Sequence, residues 1–298
     1  PLNADLLEDA TPAGFVWRQE GWDRLADALV WARRHGLYVI VDLHGAPGGQ
    51  SAEWHTGLTN GGALFTSDAC LDRTVTLWRA LAAFVDGDPH AAILDLLNEP
   101  SGSPNRDGWV RVHQALYDAV RAENARAIVM AEDGYRAQRQ IAGPAELGWE
   151  NAMFSLHFYP ESPTPAGYEI SLTNSLGDWA GIWPERFACP VLLGEFNAEM
   201  DAPDGFEAMD RALALFNARG VHWTFWTWKF WSPSSVWGVL TPAGGARRIP
   251  LREASFDDIL ADIEATRSDG YVVDPRYEAV LQARAADPVA PLAMGGAE

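Results

Sequence analysis

The chain has 298 residues, 48% of them hydrophobic, and a formal net charge of −19. This length suits one large domain or two small ones, and the apolar fraction supports a sizeable core. The negative charge argues against nucleic acid or anionic membranes as partners. No apolar run reaches the roughly 18 residues of a membrane-spanning helix, so we expect no membrane partner.

Six buried strands are predicted from short apolar or β-branched runs, at 37–43, 93–97, 127–131, 152–156, 190–194 and 221–228. Helical spacing of apolar residues predicts helices at 21–35, 70–85, 109–122, 176–187 with a break at Pro184, 206–219, 256–266 and 277–285. Strands that alternate with helices indicate a parallel sheet with helical crossovers. Polar residues follow nearly every strand, which fits the rim of an α/β barrel better than a doubly wound sheet with one switch point.

The stretch Ile93–Pro100 reads I-L-D-L-L-N-E-P, an apolar run that stops at an amide, a carboxylate and a proline. Pro100 cannot donate a ladder hydrogen bond and favours an extended Glu99. We therefore expect Asn98 and Glu99 at the C-terminal end of a buried strand. In a parallel α/β barrel that end carries the chemistry.

A second carboxylate, Glu195 in G-E-F, follows the predicted strand 190–194 in the same way. Two carboxylates at one rim are what glycosidic cleavage needs, because one protonates the leaving oxygen while the other attacks the anomeric carbon or activates water. The alternative is that each is an ordinary loop acid.

Polar rings accompany these acids. His157 and Tyr159 alternate after a strand, so both can face one side, and His44 opens a Gly-rich loop, 44–66, that also holds Trp54 and His55. The alternatives are a satisfied rim histidine and a packing tyrosine. A metal site made of the three histidines lacks any H-E-x-x-H or Cys/His spacing, so we predict no metal.

The chain has 14 tryptophans, and four of them, Trp223, Trp226, Trp228 and Trp231, surround its only lysine, Lys229. If the strand at 221–228 lasts that far, alternation places Trp226 and Trp228 on one face, with Thr227 and Lys229 on the other. One such tryptophan can form a stacking floor for a pyranose. The alternative is packing within the barrel.

Taken together, these residues resemble glycoside hydrolase family 5, the cellulase-type members of the clan of (β/α)8 retaining glycosidases. The motifs that carry the resemblance are V-D-L-H-G-A-P-G-G-Q (41–50), L-L-N-E-P (96–100), H-F-Y (157–159), G-E-F (194–196) and F-W-T-W-K (225–229), in the family's order, within residues 1 to about 245. The H-G-A-P-G-x-Q loop is most similar to that of the branch containing exo-β-1,3-glucanases, and it also resembles the loop of related β-glucanases.

The resemblance implies a role for each matching residue. Glu99 is implied as the acid/base, Glu195 as the nucleophile and Asn98 as the residue that bonds the sugar 2-hydroxyl. Further substrate-binding residues are expected at His44, Trp54, His157, Tyr159, Trp226 and Lys229. No cofactor is implied.

One departure concerns the start of the chain. The family has two strands before the histidine strand, and the second carries an arginine near the nucleophile, whereas this chain starts at Pro1-Leu2-Asn3, about where that motif would end. We therefore expect a (β/α)8 TIM barrel that lacks its first two strands. It should form a single, N-terminally incomplete domain over residues 1–298, with a frayed tail at 287–298.

The function that the resemblance implies is a retaining β-glycoside hydrolase that acts on β-linked oligo- or polysaccharides. We expect it to be a monomer. It would be a glucan 1,3-β-glucosidase or a cellulase-like endo-β-glucanase. The alternatives are a mannanase, a glycosylceramidase-like hydrolase, or a truncated relic that binds carbohydrate without turnover. The sequence leaves linkage and exo or endo action open.

Two further properties stay open. Two cysteines, Cys70 and Cys189, are too few for a disulfide framework or a zinc cluster, and either a pair or two free thiols fits. The first residues show neither the charged nor the apolar region of a signal peptide. We expect secretion or export to the periplasm if a signal peptide precedes Pro1, and a cytoplasmic protein otherwise.

Overall fold

The computed structural model describes residues 1–11, 14–58, 60–132, 142–159, 189–198, 204–230, 237–243 and 253–288. The chain divides into two compact units, Pro1–Ser155 with Ile182–Pro190, and Leu156–Gly181 with Val191–Glu298. The single-domain expectation stays a prediction. The predicted helix at 176–187 with its break at Pro184, Trp231, and the tail beyond residue 288 lie outside the described residues.

The first unit alternates strands and helices. Its elements are β1 (Leu2–Asn3), α1 (Ala4–Leu7), β2 (Glu8–Thr11), β3 (Gly14–Trp17), α2 (Gln19–Arg34), β4 (Val39–Gly45), α3 (Asp68–Phe84), β5 (Ala91–Asp95), α4 (Arg106–Glu123), β6 (Ile128–Glu132), α5 (Pro144–Leu147) and the first part of β7 (Ala152–Phe158). Strands β1, β4, β5, β6 and β7 pair in that order, all parallel. This is the βα repeat of a (β/α)8 barrel.

Helices α2, α3 and α4 each bury one apolar stripe, as the spacing predicts. In α2 the buried residues are Trp22, Leu25, Leu29 and Ala32, three or four positions apart. Ser67 caps α3 by accepting the Cys70 N–H, and Asn105 caps α4 by accepting the Gly108 N–H at 2.9 Å. The three helices begin and end within three residues of the predicted bounds.

Two buried tryptophans tie these helices to the strand ends. The indole N–H of Trp78 in α3 donates to the Leu96 carbonyl at 3.0 Å, and that of Trp109 in α4 donates to the Glu132 carbonyl at 3.0 Å. Both side chains are almost fully buried. The helix layer therefore fixes the backbone at the C-terminal ends of β5 and β6, where the candidate residues lie.

The second unit continues the pattern with the end of β7, β8 (Val191–Phe196), α6 (Gly205–Ala218), β9 (His222–Trp223), β10 (Leu240–Pro242), α7 (Phe256–Glu264), β11 (Tyr271–Val273) and α8 (Pro275–Ala285). Strands β8 and β9 pair in parallel, and β10 and β11 form a short antiparallel pair. Among the described helices none is long and apolar enough to cross a membrane. Cys70 and Cys189 are free thiols, which resolves the choice between a pair and two thiols.

The structure corrects the prediction of a long last strand. The strand predicted at 221–228 ends at Trp223. Beyond it the N–H of Trp226 donates to the Phe196 carbonyl, while the N–H of Thr227 donates to the Trp237 carbonyl. Trp226 and Lys229 therefore lie in a loop, where the alternation of side chains along a strand does not apply. The faces predicted for them from alternation have no basis in the structure. The two-residue strand β1 was not predicted because two residues carry no periodicity.

Candidate active site

The last residues of β4 place His44 in the first unit. Alternation puts Asp42 and His44 on one face of β4, while the intervening Leu43 is buried on the other face. Nδ1 of His44 lies 2.9 Å from Oδ2 of Asp42, and Nε2 lies 3.4 Å from the side-chain nitrogen of Asn98. Because an amide nitrogen can only donate, Nε2 accepts and Nδ1 carries the hydrogen that Asp42 binds. Asp42 thus fixes the tautomer of His44.

The fully buried Gln50 joins the loop after β4 to the segment that holds Asn98. Its side-chain nitrogen donates to the carbonyls of His44 and Asn98 at 2.8 and 2.9 Å, and its oxygen accepts the Ala46 N–H at 3.0 Å. Gly48 and Gly49, with φ of 78° and 75°, form the turn that brings Gln50 back. Gln50 closes the H-G-A-P-G-G-Q motif, but no role for it was predicted from the sequence.

Glu99 lies beyond β5 rather than at its last residue. The strand ends at Asp95, two residues earlier than predicted, and the N–H of Asn98 then bonds the Leu43 carbonyl at 3.1 Å. Glu99 has a φ of 46° and is 4% exposed. Its N–H donates to Oε2 of the buried Glu132 at 2.7 Å. Glu132 ends β6, so the rule that selects carboxylates at strand ends would have found it.

The ring of His55 contacts the Glu99 carboxyl group. Nε2 of His55 lies 2.8 Å from Oε2 of Glu99. His55 belongs to the 3₁₀ turn Trp54–Thr56, where its ring meets that of Trp54 edge to face at 6.0 Å. The side chain of Trp54 is 79% exposed. Both predicted residues of this loop, His44 and Trp54, therefore belong to the same unit as Glu99.

The second unit gathers His157, Tyr159 and Glu195. The hydroxyl of Tyr159 donates to Oε2 of Glu195 at 2.8 Å, and Nδ1 of His157 lies 3.6 Å from the same oxygen. Both rings reach one carboxylate oxygen, in agreement with the alternation argument. His157 and Glu195 lie inside β7 and β8, not in the loops that follow them, because these strands extend two residues beyond their predicted ends.

Asn197 connects the loop after β9 to Trp237, whose ring contacts Tyr159. The side-chain nitrogen of Asn197 donates to the Trp226 carbonyl and, at 3.0 Å, to the Trp237 carbonyl. The ring of Trp237 stacks on Tyr159 with centroids 5.7 Å apart. The peptide bond after Trp226 is cis. Neither Asn197 nor Trp237 was predicted, although Asn197 directly follows β8 and lies two residues after Glu195.

Lys229 has its contacts elsewhere in the second unit. Its ammonium group donates to the Thr266 carbonyl at 2.8 Å and to the Ser268 hydroxyl at 3.2 Å, and it lies 5.0 Å from the centroid of the Tyr271 ring. The neighbouring Trp228 is 62% exposed. The described contacts of Lys229 thus tie the loop after β9 to the segment before β11.

Residues 7–232 match the family model described as Cellulase (glycosyl hydrolase family 5). The chain belongs to this family. The predicted resemblance is therefore confirmed, and with it the (β/α)8 barrel class.

Two curated relatives show how far the match extends. A "Beta-xylosidase" of Phanerodontia chrysosporium is 23% identical over 236 residues, which are 72% of this chain and 49% of that protein. A "Probable glucan 1,3-beta-glucosidase A" of Emericella nidulans is 30% identical over 140 residues, which are 46% of this chain and 34% of that protein. The family 5 chain thus spans half or less of the length of these relatives.

A solved structure supports the fold. The endo-glycoceramidase II from Rhodococcus sp., as its lactosyl-enzyme intermediate, superposes with a TM-score of 0.62 at 16% identity, over 80% of this chain and 65% of that one. At this level of identity the likeness concerns the fold alone.

Proposed function

We propose that this chain carries the active site of a retaining β-glycoside hydrolase that acts on β-glucans. The observation that carries the proposal is the hydrogen bond from the Tyr159 hydroxyl to the Glu195 carboxylate, with His157 next to the same oxygen. A donor on one oxygen of a carboxylate holds it in a fixed orientation, which a nucleophile requires. Membership of family 5 supports the reaction class.

In the first step of the proposed mechanism, Glu195 attacks the anomeric carbon and Glu99 gives its proton to the glycosidic oxygen. The bond from the anomeric carbon to that oxygen breaks, the leaving group departs as an alcohol, and an ester joins the sugar to Glu195. In the second step water attacks the anomeric carbon, Glu99 takes its proton and the ester bond breaks. The configuration is retained, and only the two carboxyl groups react.

The burial and contacts of Glu99 suit an acid/base. Its carboxyl group contacts the ring of His55, and its backbone N–H is bound by Glu132. Asn98, joined to His44 and Gln50, is proposed to bond the sugar 2-hydroxyl, where hydrogen bonds strengthen in the transition state. His44, Trp226 and Trp54 complete the proposed substrate site.

The relatives support β-linked sugars as the substrate class. The Emericella nidulans protein is named a glucan 1,3-β-glucosidase, and the family is described by cellulase, so a 1,3- or 1,4-β-glucan is the preferred proposal. The Rhodococcus enzyme in its lactosyl-enzyme form supports double displacement, because that mechanism passes through such an adduct. Its name also supports a glycolipid as the second candidate substrate.

The test replaces each of the two glutamates with alanine and adds azide as an external nucleophile. With an activated aryl β-glucoside, Glu195→Ala should lose turnover, and azide should restore part of it as the α-glycosyl azide, because the anion enters from the vacated side. Glu99→Ala should still load Glu195 from the activated substrate, and azide should then give the β-glycosyl azide.

The control for this test is Glu207→Ala, which removes an exposed carboxylate of α6 paired with Arg211 one turn away. It should leave turnover unchanged. Swapped azide products would exchange the two roles. Full activity in either active-site variant would remove that residue from the mechanism, and glycan binding without hydrolysis by the unaltered chain would favour the binding relic.

A further inference from the structure

We propose that His55 is a positioning residue for the acid step, in which its Nε2–H binds Oε2 of Glu99 and stabilises the negative charge that this carboxyl group gains as it gives up its proton. This inference rests on the proposed function. It adds to that function a group outside the two reacting carboxylates that assists protonation of the leaving oxygen.

The contact between His55 and Glu99 is the first observation. Nε2 of His55 lies 2.8 Å from Oε2 of the buried Glu99. Nε2 is itself shielded from solvent, and among the residues that the structure describes no aligned hydrogen bond satisfies it. A buried polar atom without a partner costs free energy, and hydrogen bonds of a catalytic site are often poorly aligned until substrate binds. The carboxyl oxygen of Glu99 is a partner that lies within reach.

The second observation is that the ring of His55 is held in place by its neighbours. The rings of His44 and Trp54 meet it edge to face, with centroids 6.2 and 6.0 Å away. The 3₁₀ turn that carries His55 is closed by the Thr56 hydroxyl, which donates to the Glu53 carbonyl at 2.9 Å. A side chain that orients a catalytic group must have its own conformation fixed by packing in this way.

The chemistry of the acid step decides which atom carries the hydrogen between the two groups. Glu99 must direct its own proton at the glycosidic oxygen, so the hydrogen of this contact belongs to Nε2, and Nδ1 of the neutral ring is an acceptor. As the proton leaves Glu99, negative charge develops on its carboxyl group. A donor already in place on Oε2 then binds more strongly than before, which lowers the barrier of this step. His55 keeps its hydrogen throughout.

The test measures how the rate depends on the leaving group. A poor leaving group needs the proton, whereas an activated aryl group departs with little help, so assistance to the acid appears as a difference between two substrates. With phenyl β-glucoside, His55→Phe should lower kcat/KM about 10- to 150-fold, the effect of one hydrogen bond to a charged group. With dinitrophenyl β-glucoside the same variant should leave kcat/KM nearly unchanged.

Two amides of different length test the hydrogen bond itself. A glutamine side chain places its nitrogen close to the position of Nε2, so His55→Gln should keep most of kcat/KM for phenyl β-glucoside. Asparagine is one methylene group shorter and does not reach Oε2 of Glu99. His55→Asn should therefore lose as much as His55→Phe, although it is the variant closer in chemistry to His55→Gln.

His90→Phe is the matched control, because His90 is another histidine of the first unit that contacts an aromatic ring, that of Tyr38, with centroids 5.5 Å apart. It should leave kcat/KM for both substrates unchanged. An equal loss with both substrates in His55→Phe, no loss with either, or equal behaviour of the two amide variants overturns the inference while leaving the proposed function intact. A chain that hydrolyses neither substrate overturns the proposed function and the inference with it.

Discussion

The backbone N–H of Glu99 donates a 2.7 Å hydrogen bond to Oε2 of Glu132. Both residues are almost fully buried, and Glu99 adopts a φ of 46°, a left-handed value that residues other than glycine rarely take. Glu132 therefore satisfies the one backbone donor that the turn at Glu99 would otherwise leave buried. The last residue of β6 thus holds the backbone of the proposed acid/base, which follows the neighbouring strand β5.

Replacing Glu132 tests this support. Glu132→Ala should lower the free energy of unfolding by about 1–3 kcal/mol, because it leaves a buried N–H without its acceptor. It should also lower kcat, since the turn that carries Glu99 relaxes. Glu132→Gln keeps an acceptor oxygen and should lose less of both. Urea unfolding and steady-state kinetics measure the two quantities, and an alanine variant equal to the unaltered chain in both would contradict the role.

Tyr159→Phe separates the hydroxyl of Tyr159 from its ring. The ring can still stack on Trp237, but the 2.8 Å bond to Glu195 is lost. A hydrogen bond to a charged group contributes about 1.5–3 kcal/mol, so kcat/KM should fall roughly 10- to 150-fold.

Tyr117→Phe is the control for that variant. The Tyr117 hydroxyl accepts the Glu150 N–H at 2.9 Å, and its ring stacks on Trp149, in the first unit. This variant should cost stability without changing kcat/KM. Equal kinetics for Tyr159→Phe and the unaltered chain would show that the bond to Glu195 does not serve the reaction.

The approximate strand ends and the two acids could be predicted because an apolar run that stops at a carboxylate can be recognised in the sequence. Glu99 and Glu195 were found in this way. The observed strand ends differ from the predicted ones by about two residues, because a strand continues as long as its backbone groups find partners on the neighbouring strand. This is the case at His157 and Glu195, whereas the last strand ends before Trp226, where the backbone groups bond within a loop.

The supporting residues could not be predicted because their roles depend on pairing across the fold. Gln50 reaches Asn98 across 48 residues of chain, and Asn197 reaches Trp237 across 40. Nothing in the local sequence around either amide specifies its partner. His55 is a similar case, since its contact with Glu99 depends on the path of the Gly-rich loop.

His113 gives a prediction for stability against pH. It is fully buried in α4, stacked on Trp109 at 3.8 Å, and burial lowers its pKa from 6.5 to about 3. The unfolded chain therefore takes up a proton on this residue at a higher pH than the folded chain does. Stability should fall as pH drops from about 6.5 towards 3, and between pH 7.5 and 5.5 this residue should account for about 1.4 kcal/mol.

His113→Met removes the titrating group and keeps an apolar side chain. Its free energy of unfolding, measured by urea titration at both pH values, should change with pH by about 1.4 kcal/mol less than that of the unaltered chain. His35→Gln, at an exposed position after α2, should keep the original slope. The same slope in His113→Met would show that this histidine is not held neutral in the folded chain.

The central claim is that Glu195 forms a covalent bond to the sugar. A 2-deoxy-2-fluoro-β-glucosyl fluoride loads a retaining enzyme but slows release of the sugar, so the adduct can be located by mass spectrometry of proteolytic peptides. We predict one fluoroglucosyl group per chain, on the peptide that contains Glu195, and none in Glu195→Gln. A label on another carboxylate, or no label on a chain that hydrolyses aryl β-glucosides with inversion, would contradict the account.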